Sequence, residues 1–416
     1  MNRFRAFLGS QILVAAGLWG GHVLNIAFYF LVLRVLPAPQ TAEVLAFLSF
    51  SFLLGIGQTA MQNDLLLLAQ HESLGIAVRR ALHGALLLAL TLAALLASVS
   101  PFLRDFLRFP SVAPFVLLGL MSAFSLSTGV LQGVLIHRKK FGALALTLVC
   151  ETAARLPIGA VLFHRGYQPA DTGWILFLSA GFVFLCTALL VRKEWPSAVR
   201  RASSARKRGM AADRFAMLPI MLSSLLLALS LRMDVLWVKH SLPSGEVAVY
   251  ALLSLIATFL FFGTSSVAKA ALSYVGKRPM RIVFVWSAVL FLACTGTALL
   301  LFWSVGDLLI SVLFGPVYTG HIPALLLLLA AVGGYCIINF SFQWLSVRGD
   351  KRHILYSLSL VAVQGTALAL FGDSLLHVAF VDCCVMAFFA VLFGMELVSR
   401  EQAVAPAPSF PSHVAG

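Results

Sequence analysis

Three basic residues, Arg155, Arg232 and Lys269, stand inside stretches that otherwise read as hydrocarbon. A cation at bilayer depth costs several kcal/mol by most scales, so such residues usually face a bundle interior or a watery cavity and mark a path for a charged ligand. The chemistry they offer is anion recognition. A guanidinium group matches phosphate oxygens in a fork, and an ammonium acts as a point charge. Four acids, Asp64, Glu151, Asp234 and Asp382, share the same apolar setting.

The elements that must position these charges are membrane helices. Hydrophobic residues make up 60% of the 416 positions and charged residues 11%, which leaves little room for a soluble fold. Apolar runs of about 20 residues, the length that crosses roughly 30 Å of hydrocarbon, alternate with short polar loops. Twelve such runs are expected: Leu8–Leu33, Val44–Leu68, Ala81–Val99, Val112–Ile136, Phe141–Phe163, Gly173–Val191, Phe215–Val238, Val247–Ala268, Ile282–Trp303, Ile322–Leu345, Ile354–Phe371 and Leu375–Leu397. Backbone in lipid must satisfy its own hydrogen bonds, so these runs are helices.

The basic residues test this count. With the N-terminus cytoplasmic, 22 of the 30 Lys and Arg fall in inside segments, 5 in outside loops and 3 within the membrane. That bias follows the positive-inside rule for an even number of helices with both ends cytoplasmic. The net charge of +14 is therefore mostly topology and not a nucleic-acid surface. The cluster Arg200, Arg201, Arg206, Lys207 and Arg208 reads either as an orientation signal or as a seat for anionic membrane lipid. The first hydrophobic run is too long, and lacks the small-residue site, for a cleavable signal peptide. The six cysteines lie within helices at no metal-binding spacing, and His164 and His240 read as isolated loop residues, so no metal or other cofactor is expected.

The Ser/Ala/Arg-rich loop divides six helices from six. The expected organisation is an N-terminal bundle over residues 1–191, a basic linker 192–214, a C-terminal bundle 215–400 and a cytoplasmic tail 401–416. Leu36-Pro37, a short loop and Leu45–Phe50 in the first half match Leu242-Pro243 and Tyr250–Leu255 in the second. Pro114 and Gln132 of helix 4 match Pro323 and Gln343 of helix 10. The fold class is thus all-α and polytopic, two six-helix bundles related by a pseudo-twofold axis along the membrane normal. Rocking of such repeats about a central cleft gives alternating access.

The stretches 32–37, 151–157, 231–234, 249–250 and 313–325 carry local patterns similar to those of the polysaccharide and O-antigen flippases of the MOP superfamily. Val32-Leu33-Arg34-Val35-Leu36-Pro37 before the run from Val44 resembles that family's opening repeat. Glu151-Thr152-Ala153-Ala154-Arg155-Leu156-Pro157 resembles its fifth helix. Leu231-Arg232-Met233-Asp234, Val249-Tyr250, and Leu313–Tyr318 followed by Ile322–Leu325 resemble its later connections, although the Gly usual beside the tyrosine is missing. The resemblance implies twelve helices that move lipid-linked oligosaccharides, of the isoprenoid-pyrophosphate type, across the bacterial inner membrane. A polysaccharide polymerase or glycosyltransferases are the protein partners it implies.

Each buried charge carries two readings. Glu151 and Arg155, four apart on one helix face, form a structural ion pair, or Arg155 faces the cleft and binds phosphate. Arg232 snorkels, pairs with an acid, or lines the cleft. Asp234 lies roughly 200° from it around the helix, so the two do not both face the cleft squarely. Asp382 awaits a partner on a neighbouring helix, sits protonated, or couples to an ion gradient. His22, Asn25, Gln58, Gln62, Asn63, His83, Gln132 and Gln343 hydrogen-bond sugar hydroxyls or neighbouring helices. Gly17, Gly20, Gly21, Gly55 and Gly57 permit close packing or bending.

The expected function is a flippase for an anionic glycolipid, with no covalent chemistry: no phosphate-cradling Gly loop and no nucleophile–base pair supports an enzyme. The alternatives are a MATE-like exporter of small molecules and a non-transporting subunit of a polysaccharide synthesis or export complex. Carrying the repeat match through helices 2 and 8 pairs Asp64 with Lys269 near the cytoplasmic ends. They then form a latch that closes that side, or each snorkels separately. Reversing either charge is expected to abolish transport and reversing both to restore it; an inactive double reversal contradicts the latch.

Overall fold

A computed structural model describes residues 2–192, 217–272, 280–347 and 352–403. The basic cluster at 200–208 lies outside the described residues, as do most of the expected linker and tail. Among the described residues there are twelve α-helices and no strand: α1 Asn2–Val35, α2 Ala38–His71, α3 Leu74–Phe106, α4 Ala113–His137, α5 Phe141–His164, α6 Asp171–Arg192, α7 Met217–Ser241, α8 Ser244–Leu272, α9 Met280–Phe314, α10 Ile322–Val347, α11 Arg352–Phe371 and α12 Leu375–Ala403. Each expected run falls on one helix, save that Val112 is the N-cap of α4 and that residues 215 and 216 of the seventh run lie outside the described residues. Ten are long and apolar enough to cross a membrane; α1 adds a shorter apolar stretch, Gly20–Val35, and α7 carries Arg232, Asp234 and Lys239 in its length.

The helices outrun the apolar segments. The 35 residues of α9 rise roughly 50 Å, well beyond about 30 Å of hydrocarbon. Helical hydrogen bonds persist where side chains turn polar, so apolar length underestimates helix length. The loop expected after Leu36-Pro37 is instead the first turn of α2. Pro37 caps that helix with φ −66°, where its missing N–H costs nothing. The α7–α8 junction repeats the device: Thr41 donates its amide to Pro37 in the first, and Val247 to Pro243 in the second.

The chain forms two compact units. The first comprises Met1–Leu252, Leu308–Thr319 and Gly372–Leu375. It includes α7 because α7 packs along α2. At its centre α4 lies against α2, α3 and α6, with Phe115, Leu118, Leu126, Val130 and Leu135 at most 1% exposed. Two glycines let the backbones approach. A Cβ on Gly129 would collide with the Gln58 carbonyl oxygen, and one on Gly119 would stand 2.9 Å from Ala93 Cα. Gln58 then donates to Gln132 at 3.1 Å, and Gln132 to Thr147 Oγ1 at 3.2 Å, a polar ladder through α2, α4 and α5.

The second unit comprises Leu253–Asp307, Gly320–Phe371 and Leu376–Gly416. Its core holds Phe291, Phe340, Trp344 and Phe393, each at most 1% exposed. Gly333 meets Thr295, and Gly334 meets the Met386 backbone. Large apolar side chains such as Trp286, Leu300 and Trp303 point outward, exposed by 70% or more, as suits a lipid-facing surface.

A methyl at Gly129 collides with backbone that cannot yield without separating α2 from α4. Gly129→Ala is therefore expected to cost about 1–3 kcal/mol and to lower the melting temperature of the detergent-solubilised protein. Gly55→Ala, whose Cβ meets nothing within 4 Å, is expected to melt like the parent. Equal melting of the two variants contradicts this packing.

Candidate cationic site

The site is assembled inside the first unit, and glycine brings its first two helices together. α1 and α5 run in parallel register: Gly17 lies on Ala145, Gly21 beside Leu148 and Thr152, and Phe28 enters the space that Gly159 leaves. Phe28 also packs on Phe163 at 6.4 Å between ring centroids. Arg155 falls between these contacts, level with Asn25 and Tyr29 of α1.

Arg155 pairs with Glu151 one turn earlier, Nη2 to Oε1 at 2.7 Å, with 17% and 28% of the two side chains exposed. The pair satisfies one edge of the guanidinium. Its Nε is buried with no hydrogen-bond partner among the described residues. An N–H left dry in this way costs about 1–3 kcal/mol, a cost that an anion arriving at the group would remove.

Arg232 enters from α7. The residue is 5% exposed, enclosed by protein rather than extended along a lipid-facing surface. Its guanidinium carbon lies 4.7 Å from the centroid of the Phe52 ring on α2, a cation–π contact that holds the plane against the aromatic face. Asp234 turns elsewhere: 2% exposed, it accepts a hydrogen bond from the Tyr250 hydroxyl of α8 at 3.0 Å. The two residues thus diverge around the helix as their spacing requires.

Tyr29 joins the cations. It is 8% exposed, its hydroxyl lies in the electrostatic field of both Arg232 and Arg155, and Asn25 reaches it from one turn earlier. The Asn25 Oδ1 is buried without a hydrogen-bond partner among the described residues. His22, half-buried, continues the same face of α1. Both guanidinium charges thus act on the Tyr29 phenol, which has the Asn25 amide beside it, and such groups can hold an oxyanion by charge and by donated hydrogen bonds.

The other expected residues have surroundings of their own. Asp382 accepts from Gln364 Nε2 at 2.5 Å inside the second unit, so its partner is an amide on α11. Asp64 is half-buried on α2, and Lys269 belongs to α8 with its side chain outside the described residues. Gln58 and Gln132 are occupied by the polar ladder. His240 corrects the sequence reading: it sits in the last turn of α7, stacks on Phe106 at 4.1 Å, and its Nδ1 lies 2.7 Å from the Phe106 carbonyl. Among the described residues no three His, Cys, Asp or Glu are grouped to hold a metal.

Sequence reasoning missed Tyr29, Phe52 and Tyr250. Tyr29 was legible, since positions 22, 25 and 29 share a helix face. Tyr250 stands in the Val249-Tyr250 motif, which signals a helix entry and not the partner of an acid. Phe52 carried no signal: nothing distinguishes it from the other phenylalanines.

No protein-family model matches the chain, and no curated protein matches it in sequence. Solved structures match it over nearly its full length. An outward-facing multidrug resistance MATE family transporter of the MOP superfamily superposes with TM-score 0.69 at 12% identity, over 96% of each chain. An inward-facing conformation of such a transporter gives 0.63 at 12% identity, over 94% of this chain and 95% of that one. A MOP superfamily transporter from Pyrococcus furiosus, whose binding pocket of reverse polarity is described as suggesting a different function, gives 0.68 at 12% identity, over 97% and 96%. At these identities the likeness establishes the fold: an all-helical, multi-pass membrane fold shared with MATE transporters of the MOP superfamily.

Proposed function

We propose that this protein is a membrane transporter that carries an anionic glycolipid, an isoprenoid-pyrophosphate-linked oligosaccharide, across a bacterial inner membrane by alternating access during surface polysaccharide synthesis. The observation that carries this reading is the enclosure of Arg155 and Arg232 within one unit, both charges acting on Tyr29 and the Arg155 Nε left without an acceptor among the described residues. A pyrophosphate crossing hydrocarbon loses its water, and two buried guanidinium groups replace those hydrogen bonds with charge-assisted ones. The lipid tail stays in the bilayer throughout. Arg155 brings a dry Nε, and Asn25 and Tyr29 add polar groups beside the anion or its first sugar.

In this reading both termini are cytoplasmic, which the distribution of basic residues supports, and residues 1–191 and 215–400 are the two repeats. A polymerase or glycosyltransferases would hand over and receive the substrate; copurification with them, without flipping by the protein alone, would instead mark it as a subunit of their complex. The likeness to multidrug resistance transporters favours one further reading, export of small molecules on the same fold.

Reconstituted into liposomes, the parent is expected to flip a lipid-linked oligosaccharide, and Arg155→Ala and Arg232→Ala each to slow flipping at least tenfold, about 1.4 kcal/mol or more of lost anion stabilisation. Unimpaired flipping in both variants would falsify the cationic path. Export of an organic cation by liposomes that do not flip the glycolipid decides for the second reading.

A further inference from the structure

α3 turns its small residues inward. Ala77, Val78, Ala81, Ala85 and Ala89 are buried along one face, and Ala89 and Ala93 meet Ser122 and Gly119 of α4. The opposite face carries Arg79, His83, Leu86, Leu87 and Leu90, all exposed, the three leucines by at least half. Arg79 and His83, four residues apart, are neighbours on that face. Neither makes a hydrogen bond, ion pair or ring contact with another described residue. His83 thus reaches no neighbouring helix. Arg80, also exposed, pairs with Glu72, the sole acid of residues 65–104.

The 33 residues of α3 rise roughly 50 Å against about 30 Å of hydrocarbon. Centred on the bilayer, the helix projects about 10 Å at each end, which puts Arg79 among the headgroups and His83 at the edge of the acyl chains. The positive-inside rule accounts for an arginine here. It does not account for an imidazole one turn deeper, whose two ring nitrogens face lipid with nothing to bond. We propose that Arg79 and His83 bind an anionic phospholipid, with its phosphate on the two side chains and an acyl chain along Leu86, Leu87 and Leu90. The guanidinium fork takes two phosphate oxygens, and a ring N–H of His83 donates to the same group. Arg138, Lys139 and Lys140, brought to this end by the antiparallel register of α3 and α4, raise the positive potential that favours a net negative headgroup.

The test uses the full-length protein in phosphatidylcholine vesicles with trace phosphatidylglycerol that carries a diazirine near the top of one acyl chain. After irradiation, crosslinks to residues 84–91 are measured by mass spectrometry. Replacing a third of the vesicle lipid by unlabelled phosphatidylglycerol is expected to lower the yield at least threefold, because a bound lipid is displaced and a passing one is not. Without that competitor, Arg79→Gln and His83→Leu are each expected to lower the yield at least threefold. Arg80→Gln removes the same charge from an arginine that Glu72 already pairs, and is expected to stay within twofold of the parent. All three substitutions change exposed side chains and leave the core intact. A yield that phosphatidylglycerol does not lower, that is unchanged in either Arg79→Gln or His83→Leu, or that falls as far in Arg80→Gln, overturns the site. Displacement by a short-chain isoprenoid pyrophosphate but not by phosphatidylglycerol also overturns it, by giving this face to the transported glycolipid. None of these readouts depends on flipping, so the roles of Arg155 and Arg232 stand or fall separately.

Discussion

A guanidinium group enclosed by apolar helices persists only where an acid, a hydrogen-bond acceptor or an aromatic face replaces the water it has lost. The first unit satisfies that requirement twice, by different means. Arg155 has a carboxylate one helical turn away, whereas Arg232 has the face of Phe52. A pair on a single helix is self-contained, but a cation–π contact demands that α2 and α7 lie side by side. Tyr29 ties both to α1. Burying Arg232 therefore requires α7 to lie along α2, as it does, while α1 packs on α5 beside Arg155.

Hydrocarbon gives helices no hydrophobic reason to associate, so close approach must come from small residues and polar links. Gly17 and Gly21 seat α1 on α5, which sets the level at which Asn25 and Tyr29 meet Arg155. Gly129 lets α4 reach the Gln58 backbone, and the Gln58–Gln132–Thr147 ladder fastens the three helices there. Glutamines that could have contacted sugar are consumed in holding the scaffold. This division leaves α4 as the rigid centre and places the incompletely satisfied groups, Arg155 Nε and Asn25 Oδ1, on α5 and α1.

Much of this was legible in the sequence, and what was not has physical causes. Helix number followed from hydrocarbon thickness and from the alternation of Lys and Arg. Helix ends did not, because Ser304, Gly306 and Asp307 read as the end of a span, whereas α9 continues through them into the apolar run 308–314. The Glu151–Arg155 pair is a matter of spacing and was readable, as was the divergence of Arg232 from Asp234. Their partners were not: Phe52, Tyr250 and Gln364 are ordinary residues whose roles depend on which helices become neighbours. Burial of Lys239 was hidden for the same reason, since a lysine one residue beyond an apolar run looks like any loop cation until Phe109 is placed against it.

The central claim is that Arg155 and Arg232 act on one anion. It is tested most directly by the affinity of the purified protein for a short-chain isoprenoid pyrophosphate, measured for the parent, Arg155→Ala, Arg232→Ala and the double variant. The account predicts that each single change weakens binding at least tenfold and that the double change weakens it by less than the product of the two, because both groups hold the same ligand. Unchanged affinity in both single variants, with binding intact, would contradict it.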